Sequence, residues 1–186
     1  QYDLFALPET LTHLKCAILY DFQFKQLPKS IKYLQIGQVD ASSLEYLPNG
    51  ITHLSLGFYN YHIHNLPDSI IYLDLSDHYN KPIIKLPKSI TYLSLGISYK
   101  QKIKKLPKTI KFLSCRAEYC EKIFGINYNK IPSSVETMKL IFEDCWDNFD
   151  NNKLNMKKNL TELLVKLPAN IKNIVLANRG LYFATN

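Results

Sequence analysis

The sequence predicts an α/β-type repeat solenoid that is mostly β: a right-handed horseshoe with a parallel sheet on its concave face and mainly irregular backbone on its convex side. Three observations predict it. Eight prolines, Pro8, Pro28, Pro48, Pro67, Pro87, Pro107, Pro132 and Pro168, each follow Leu or Ile at intervals of 20, 20, 19, 20, 20, 25 and 36 residues, and only Pro82 stands outside the series. Apolar residues fall in fixed columns relative to those prolines, and self-similarity at one period of this size marks stacked repeats. Each turn also carries a Leu-x-Leu core, whose period of two belongs to a short strand with both leucines on one face.

Four columns define the turn. Three residues past each proline stand Leu11, Ile31, Ile51, Ile70, Ile90, Ile110, Val135 and Ile171. The strand positions follow as Leu14, Leu34, Leu54, Leu73, Leu93, Leu113, Met138 and Ile174, then Cys16, Ile36, Leu56, Leu75, Leu95, Cys115, Leu140 and Leu176. Leu4, Phe24, Leu44, Ile63, Ile83, Ile103, Tyr128 and Leu164 precede each Leu-Pro or Ile-Pro by three. Proline lacks an N–H and cannot sit inside a ladder, so we place it on the returning side, in extended backbone that needs no donor. Twenty residues leave four or five for a strand and too few for a full helix, so little helix is expected outside 156–166.

In chain order, the start is abrupt: Gln1 to Leu4 already reads as the tail of a turn, with no initiator Met and no polar cap, and we expect a fragment. Phe24 to Ile103 is the regular centre. Five extra residues loosen the sixth turn between Cys115 and Ile131. The seventh carries the longest connection, Glu143 to Leu164. Its first part, Glu143 to Asp150, is acidic around Trp146, and its last, Asn159 to Leu164, can form one or two helical turns opened by Asn159 with Glu162 in capping-box position. Leu181, Tyr182 and Phe183 are expected to cap the last turn, within a cap of roughly 178–186. The whole of 1–186 reads as one domain of about eight repeats, a rod on the order of 40 Å long at about 4.8 Å per turn.

These columns resemble a leucine-rich repeat, and more narrowly the FNIP repeats of social amoebae and giant viruses. The aromatic-Asn-x-Pro-Ile tail of that family is matched by Tyr79-Asn80-Lys81-Pro82-Ile83. Looser copies begin at Tyr20, Tyr59 and Tyr99, and Gly37, Gly57 and Gly96 supply the strand-ending glycine. A twenty-residue bacterial-effector class of leucine-rich repeat is also similar, but it places Asn three residues after the last strand leucine, where no turn here has one. How these turns satisfy their backbone groups without that ladder is left open. The resemblance implies a non-catalytic protein-interaction scaffold and, because some FNIP-like proteins carry an upstream F-box, a substrate-receptor role in ubiquitin ligation.

Composition agrees with a continuous stacked core: 46% of the residues are hydrophobic and 21% charged. No run approaches the roughly 18 apolar residues of a membrane span, and nothing resembles a signal peptide. Cys16 and Cys115 occupy strand-leucine positions five turns apart, too far to be bridged, and fit a reduced, cytoplasmic setting. No cofactor, metal or catalytic centre is read. The acidic stretch lacks the spacing of a calcium loop, His62 and His64 lack a third ligand, Cys115 and Cys120 lack Cys-x-x-Cys spacing, and no phosphate loop or activated nucleophile assembles. The sequon at Asn159 is read as incidental.

Two surfaces remain as candidates. The residues just before the first strand leucine point away from the core: His13, Tyr33, His53, Tyr72, Tyr92 and Phe112, then Thr137 and Asn173. This ridge of rings runs beside a polar furrow of Lys15, Gln35, Ser55, Asp74, Ser94, Ser114, Lys139 and Val175. We read His13, Tyr33, His53, Tyr72, Asp74, Tyr92 and Phe112 as the partner-binding residues, since exposed rings are what interface hot spots are drawn from; stacking that merely stiffens the sheet is the competing explanation. The alternative surface follows from the net charge of +7. Lys100, Lys102, Lys104, Lys105, Lys108 and Lys111 could bind nucleic acid or another anionic surface, although lysines that only solvate turns are common.

Overall fold

Only the Leu-x-Leu segment of each period alternates, and strands form there. The computed structural model describes residues 7–17, 27–38, 44–125, 128–142 and 160–178. The expected roles of Leu4, Tyr20, Phe24, the acidic stretch 143–150, Asn159 and the 179–186 part of the cap lie outside these residues. The strands are β1 (His13–Cys16), β2 (Tyr33–Gln38), β3 (His53–Phe58), β4 (Tyr72–Asp74), β5 (Tyr92–Ser94), β6 (Phe112–Arg116), β7 (Thr137–Phe142) and β8 (Asn173–Asn178). They form one eight-stranded sheet in sequence order, parallel throughout. The register is the one the columns require: His13, Tyr33, His53, Tyr72, Tyr92, Phe112, Thr137 and Asn173 lie side by side, and each leucine opposes the next.

The prolines act as turn residues, a more specific role than the extended return segment expected of them. In all eight turns the proline carbonyl accepts the N–H three residues on, from Pro8 with Leu11 at 2.9 Å to Pro168 with Ile171 at 3.1 Å. This i to i+3 bond closes a β-turn, and it delivers the chain into the strand. Two residues past the proline, a side chain then ties consecutive turns together: Ser30 Oγ donates to the Leu11 carbonyl, Ser69 Oγ to Ile51 and Asn170 Nδ2 to Val135, each at 2.6 Å. On the return side the Asn80 N–H donates to Asn60 Oδ1 at 2.9 Å, and Asn80 Oδ1 accepts from the Lys100 N–H at 3.1 Å. An asparagine ladder therefore exists, next to the aromatic of the tail and outside the column three residues after the last strand leucine. The strand-ending glycines allow backbones to meet: a Cβ on Gly37, Gly57 or Gly96 would collide with the carbonyl of Ala17, Gly37 or Ser76.

Beneath the sheet the columns close into one core. Leu54, Leu73, Leu93 and Leu113 are fully buried, as are Ile51, Ile70, Ile90 and Ile110. A second file is aromatic: Tyr59, Tyr79 and Tyr99 are buried, with near-parallel rings 6.4 and 6.0 Å apart. The Tyr59 hydroxyl donates to the His62 carbonyl at 3.3 Å, while the hydroxyls of Tyr79 and Tyr99 are buried. Those of Tyr79 and Tyr99 come near the backbone of Ile63 and Ile83 without the geometry of a hydrogen bond, and burial holds the Tyr99 phenol up at about 12.

The irregular turns depart from the pattern. The insertion folds as a 3-10 turn, Ala117–Tyr119, running into a short helix α1, Cys120–Phe124, helix outside the stretch where it was expected. It brings Cys120 Sγ to 3.2 Å from Cys115 Sγ, both thiols fully buried, despite a spacing that had given no reason to pair them. Hydrogen bonding to Cys120, then burial, pushes the Cys115 thiol up. A second helix, α2, spans 160–166. Helical rotation puts Leu163 inward at 8% exposure and leaves Leu164, the expected core residue, 37% exposed. The columns also lose cover at the last turn, where Ile174 and Leu176 are 42% and 53% exposed. Each repeat buries its columns against a neighbour on either side, and among the described residues no strand follows β8.

The central column supports a stability prediction. Leu73→Ala removes a fully buried side chain flanked by Leu54 and Leu93, so it should cost about 2 to 5 kcal/mol in urea unfolding. Exposed Lys88→Ala is the control, and equal midpoints for the two variants would refute the column.

Candidate functional site

Parallel, in-register pairing places each residue beside its own counterpart in the next turn. On the open face of the sheet this makes one stack of six rings. His13 to Tyr33 and Tyr33 to His53 are 4.1 Å between centroids, His53 to Tyr72 5.5 Å, Tyr72 to Tyr92 4.1 Å and Tyr92 to Phe112 4.3 Å, all within 24° of parallel. The structure thus unites all six rings read from the sequence, and it adds how the imidazoles are held. Thr12 Oγ1 lies 2.8 Å from His13 Nδ1 and Thr52 Oγ1 2.9 Å from His53 Nδ1. The repeated Thr-His pair was the available sequence signal. The widest gap, between His53 and Tyr72, falls at the one interval of 19 residues.

Stacking has a chemical consequence. The faces of the inner rings are occupied by neighbouring rings, so the file offers solvent its edges and hydroxyls. A hollow of about 490 Å³ opens over β1 to β4, lined along the ring file and the furrow from His13 to Asp74. Asp74 is the acidic residue of that furrow. Ser55 Oγ donates to its Oδ2 at 3.5 Å, and Ser94 stands in register on the other flank.

Burial is the main electrostatic force here. It raises the Asp74 carboxyl above its ordinary range, with Ser94 opposing, Asp77 adding to the rise, and Ser55 and then Lys139 opposing. The Tyr92 phenol is raised by burial and then by Tyr72, and the Tyr72 phenol by burial and then by Asp74. Burial, then the charge of His13, lowers the His53 imidazole.

The six lysines of the alternative surface lie elsewhere. Lys100, Lys102, Lys104, Lys105, Lys108 and Lys111 are all exposed, on the return path from β5 to β6. Among the described residues only Lys111 of the six is paired, with Glu136 at 2.9 Å, and Glu136 also holds Lys172 at 3.1 Å. His62 and His64 stack at 5.6 Å, and among the described residues no group of three or more possible ligands gathers to hold a metal. No helix among them is long and apolar enough to cross a membrane.

An open parallel sheet of eight in-register strands, entered by proline turns and sealed beneath by leucine columns, defines a leucine-rich-repeat-like solenoid. The family model of the FNIP repeat matches residues 79–114, from the buried Tyr79 through β5 into β6. The chain carries an FNIP repeat over these residues. No curated protein and no solved structure matches it.

The Asp74 environment yields a pH prediction. A carboxyl whose folded pKa lies above the unfolded value of about 3.9 binds its proton more tightly in the native state, so stability falls as pH rises through that interval. Asp74→Asn should therefore melt higher than the parent at pH 7 and show no such gain near pH 3. An unchanged or lower melting temperature at pH 7 would contradict the assignment.

Proposed function

We propose that this protein is a non-catalytic interaction scaffold that binds a protein partner on the open face of its sheet. The observation that carries the reading is the unbroken file of six rings beside a hollow, on the face that the core does not use. Ring stacking can stiffen a sheet without any partner, but stiffening would not require a polar furrow beside it. A rigid ridge of edges and hydroxyls lowers the entropy lost when a partner docks. In the F-box receptor role implied by the resemblance, the open face would be the substrate-recognition surface. A cytoplasmic, reducing setting belongs to the same proposal, supported by Cys16, Cys115 and Cys120, which are free thiols.

The second reading is binding of nucleic acid or another polyanion through Lys100 to Lys111, favoured by the exposure of all six lysines. Salt separates the two. Phosphate contacts lose affinity steeply between low and moderate salt, whereas ring-centred contacts do not.

The test is parallel affinity capture from cells with the parent chain and with Tyr72→Ala plus Tyr92→Ala. A partner of the open face should bind the double variant at least about tenfold more weakly, as anchors contributing about 2 kcal/mol or more require. Thermal melts must show the variant folded at the assay temperature. Full retention by a folded double variant would remove the open face from consideration.

A further inference from the structure

The furrow carries charge at only three of its eight positions, Lys15 on β1, Asp74 on β4 and Lys139 on β7; glutamine and serine fill the strands between them, open over β1 to β4 and covered at Ser114 on β6. Each lysine is three strands from the carboxylate. At about 4.8 Å per strand, the backbone positions that carry plus, minus and plus follow one another at roughly 14 Å intervals along the sheet. Asp74 sits between two serines and is half-buried, and among the described residues no cation lies within ion-pair distance of it. A polyanion is disfavoured on this face because its centre is negative. The stacked rings leave no slot for an inserted base and instead form a wall beside the furrow.

An extended chain advances about 3.3 Å per residue, so roughly 14 Å corresponds to about four residues. We propose that the open face takes an extended segment of a partner protein running across the strands along the furrow, with a basic residue over Asp74 and an acidic residue about four positions to either side, facing Lys15 and Lys139. An arginine suits the central place, because its planar fork can engage the carboxylate while its stem lies along the ring edges. The charge pattern is symmetric, so the segment can run in either direction. This inference rests on the open-face reading and narrows it to one partner chemistry.

The probes are fluorescein-labelled peptides of serine and threonine carrying Glu-x-x-x-Arg-x-x-x-Glu, the same peptide with neutral citrulline for arginine, and the charge-reversed Arg-x-x-x-Glu-x-x-x-Arg. Titrated against the full chain at low salt by fluorescence anisotropy, the first should bind at least about tenfold more tightly than the other two, which corresponds to about 1.4 kcal/mol. Asp74→Asn should abolish that margin, and Asp74→Lys should prefer a peptide with glutamate at all three charged places; circular dichroism confirms that both variants fold. Equal binding of the three peptides, no binding of the first at millimolar concentration, or a margin that survives Asp74→Asn overturns the inference. A captured partner that depends on Tyr72 and Tyr92 but is retained by Asp74→Asn also overturns it, while leaving the open-face reading standing. A partner indifferent to both sites removes both.

Discussion

The structure depends on in-register stacking of like on like. A parallel sheet whose turns repeat at a single period places every side chain beside its own homologue, about 4.8 Å away. Leucine on leucine makes a dry core, and ring on ring makes a stack. Charge on charge is destabilising at that separation. The furrow reflects this constraint: its one carboxylate, Asp74, lies between Ser55 and Ser94, and its two lysines lie three strands off in either direction. Where like charges cannot be neighbours, a solenoid can present only a sparse pattern of them, and sparseness gives that pattern a definite spacing.

The same constraint explains what the sequence disclosed. Four apolar columns and a proline period determine strand order and register without ambiguity, because slipping by one residue would turn Leu54, Leu73 and Leu93 toward solvent together. The ring file followed from the same register. The proline β-turn was not legible, since proline suits both extended backbone and turns. The asparagine ladder of Asn60 and Asn80 escaped because it stands beside the tail aromatic, and that aromatic proved to be core: Tyr59, Tyr79 and Tyr99 are buried. The helix at 160–166 was visible in the sequence, but its inward face was not. The column three residues before each Leu-Pro pointed to Leu164, while helical rotation selects Leu163.

At the candidate site the sequence showed which residues share a face, while their chemistry required geometry. Only the structure reveals that the rings spend their faces on one another and offer edges outward. Only the structure reveals that Asp74 is buried enough to have its ionised form penalised. The Cys115 and Cys120 contact belongs here too, because the bend that creates it lies in an insertion with no counterpart in the other turns.

The eight proline turns are alike in form. Each hands the chain on in the same way, with a carbonyl accepting the N–H three residues along, so the boundary from one proline to the next is nearly interchangeable. Duplicating a sixty-nucleotide cassette in the coding sequence would add a strand, a ring and a furrow position while presenting each neighbour with a contact it already makes. Stability in such an array is carried by nearest neighbours, so the length of the exposed ridge can change by unequal recombination without redesign of the core. Point mutation then need only alter the furrow residue of a new copy for the lineage to acquire a different spacing of charge.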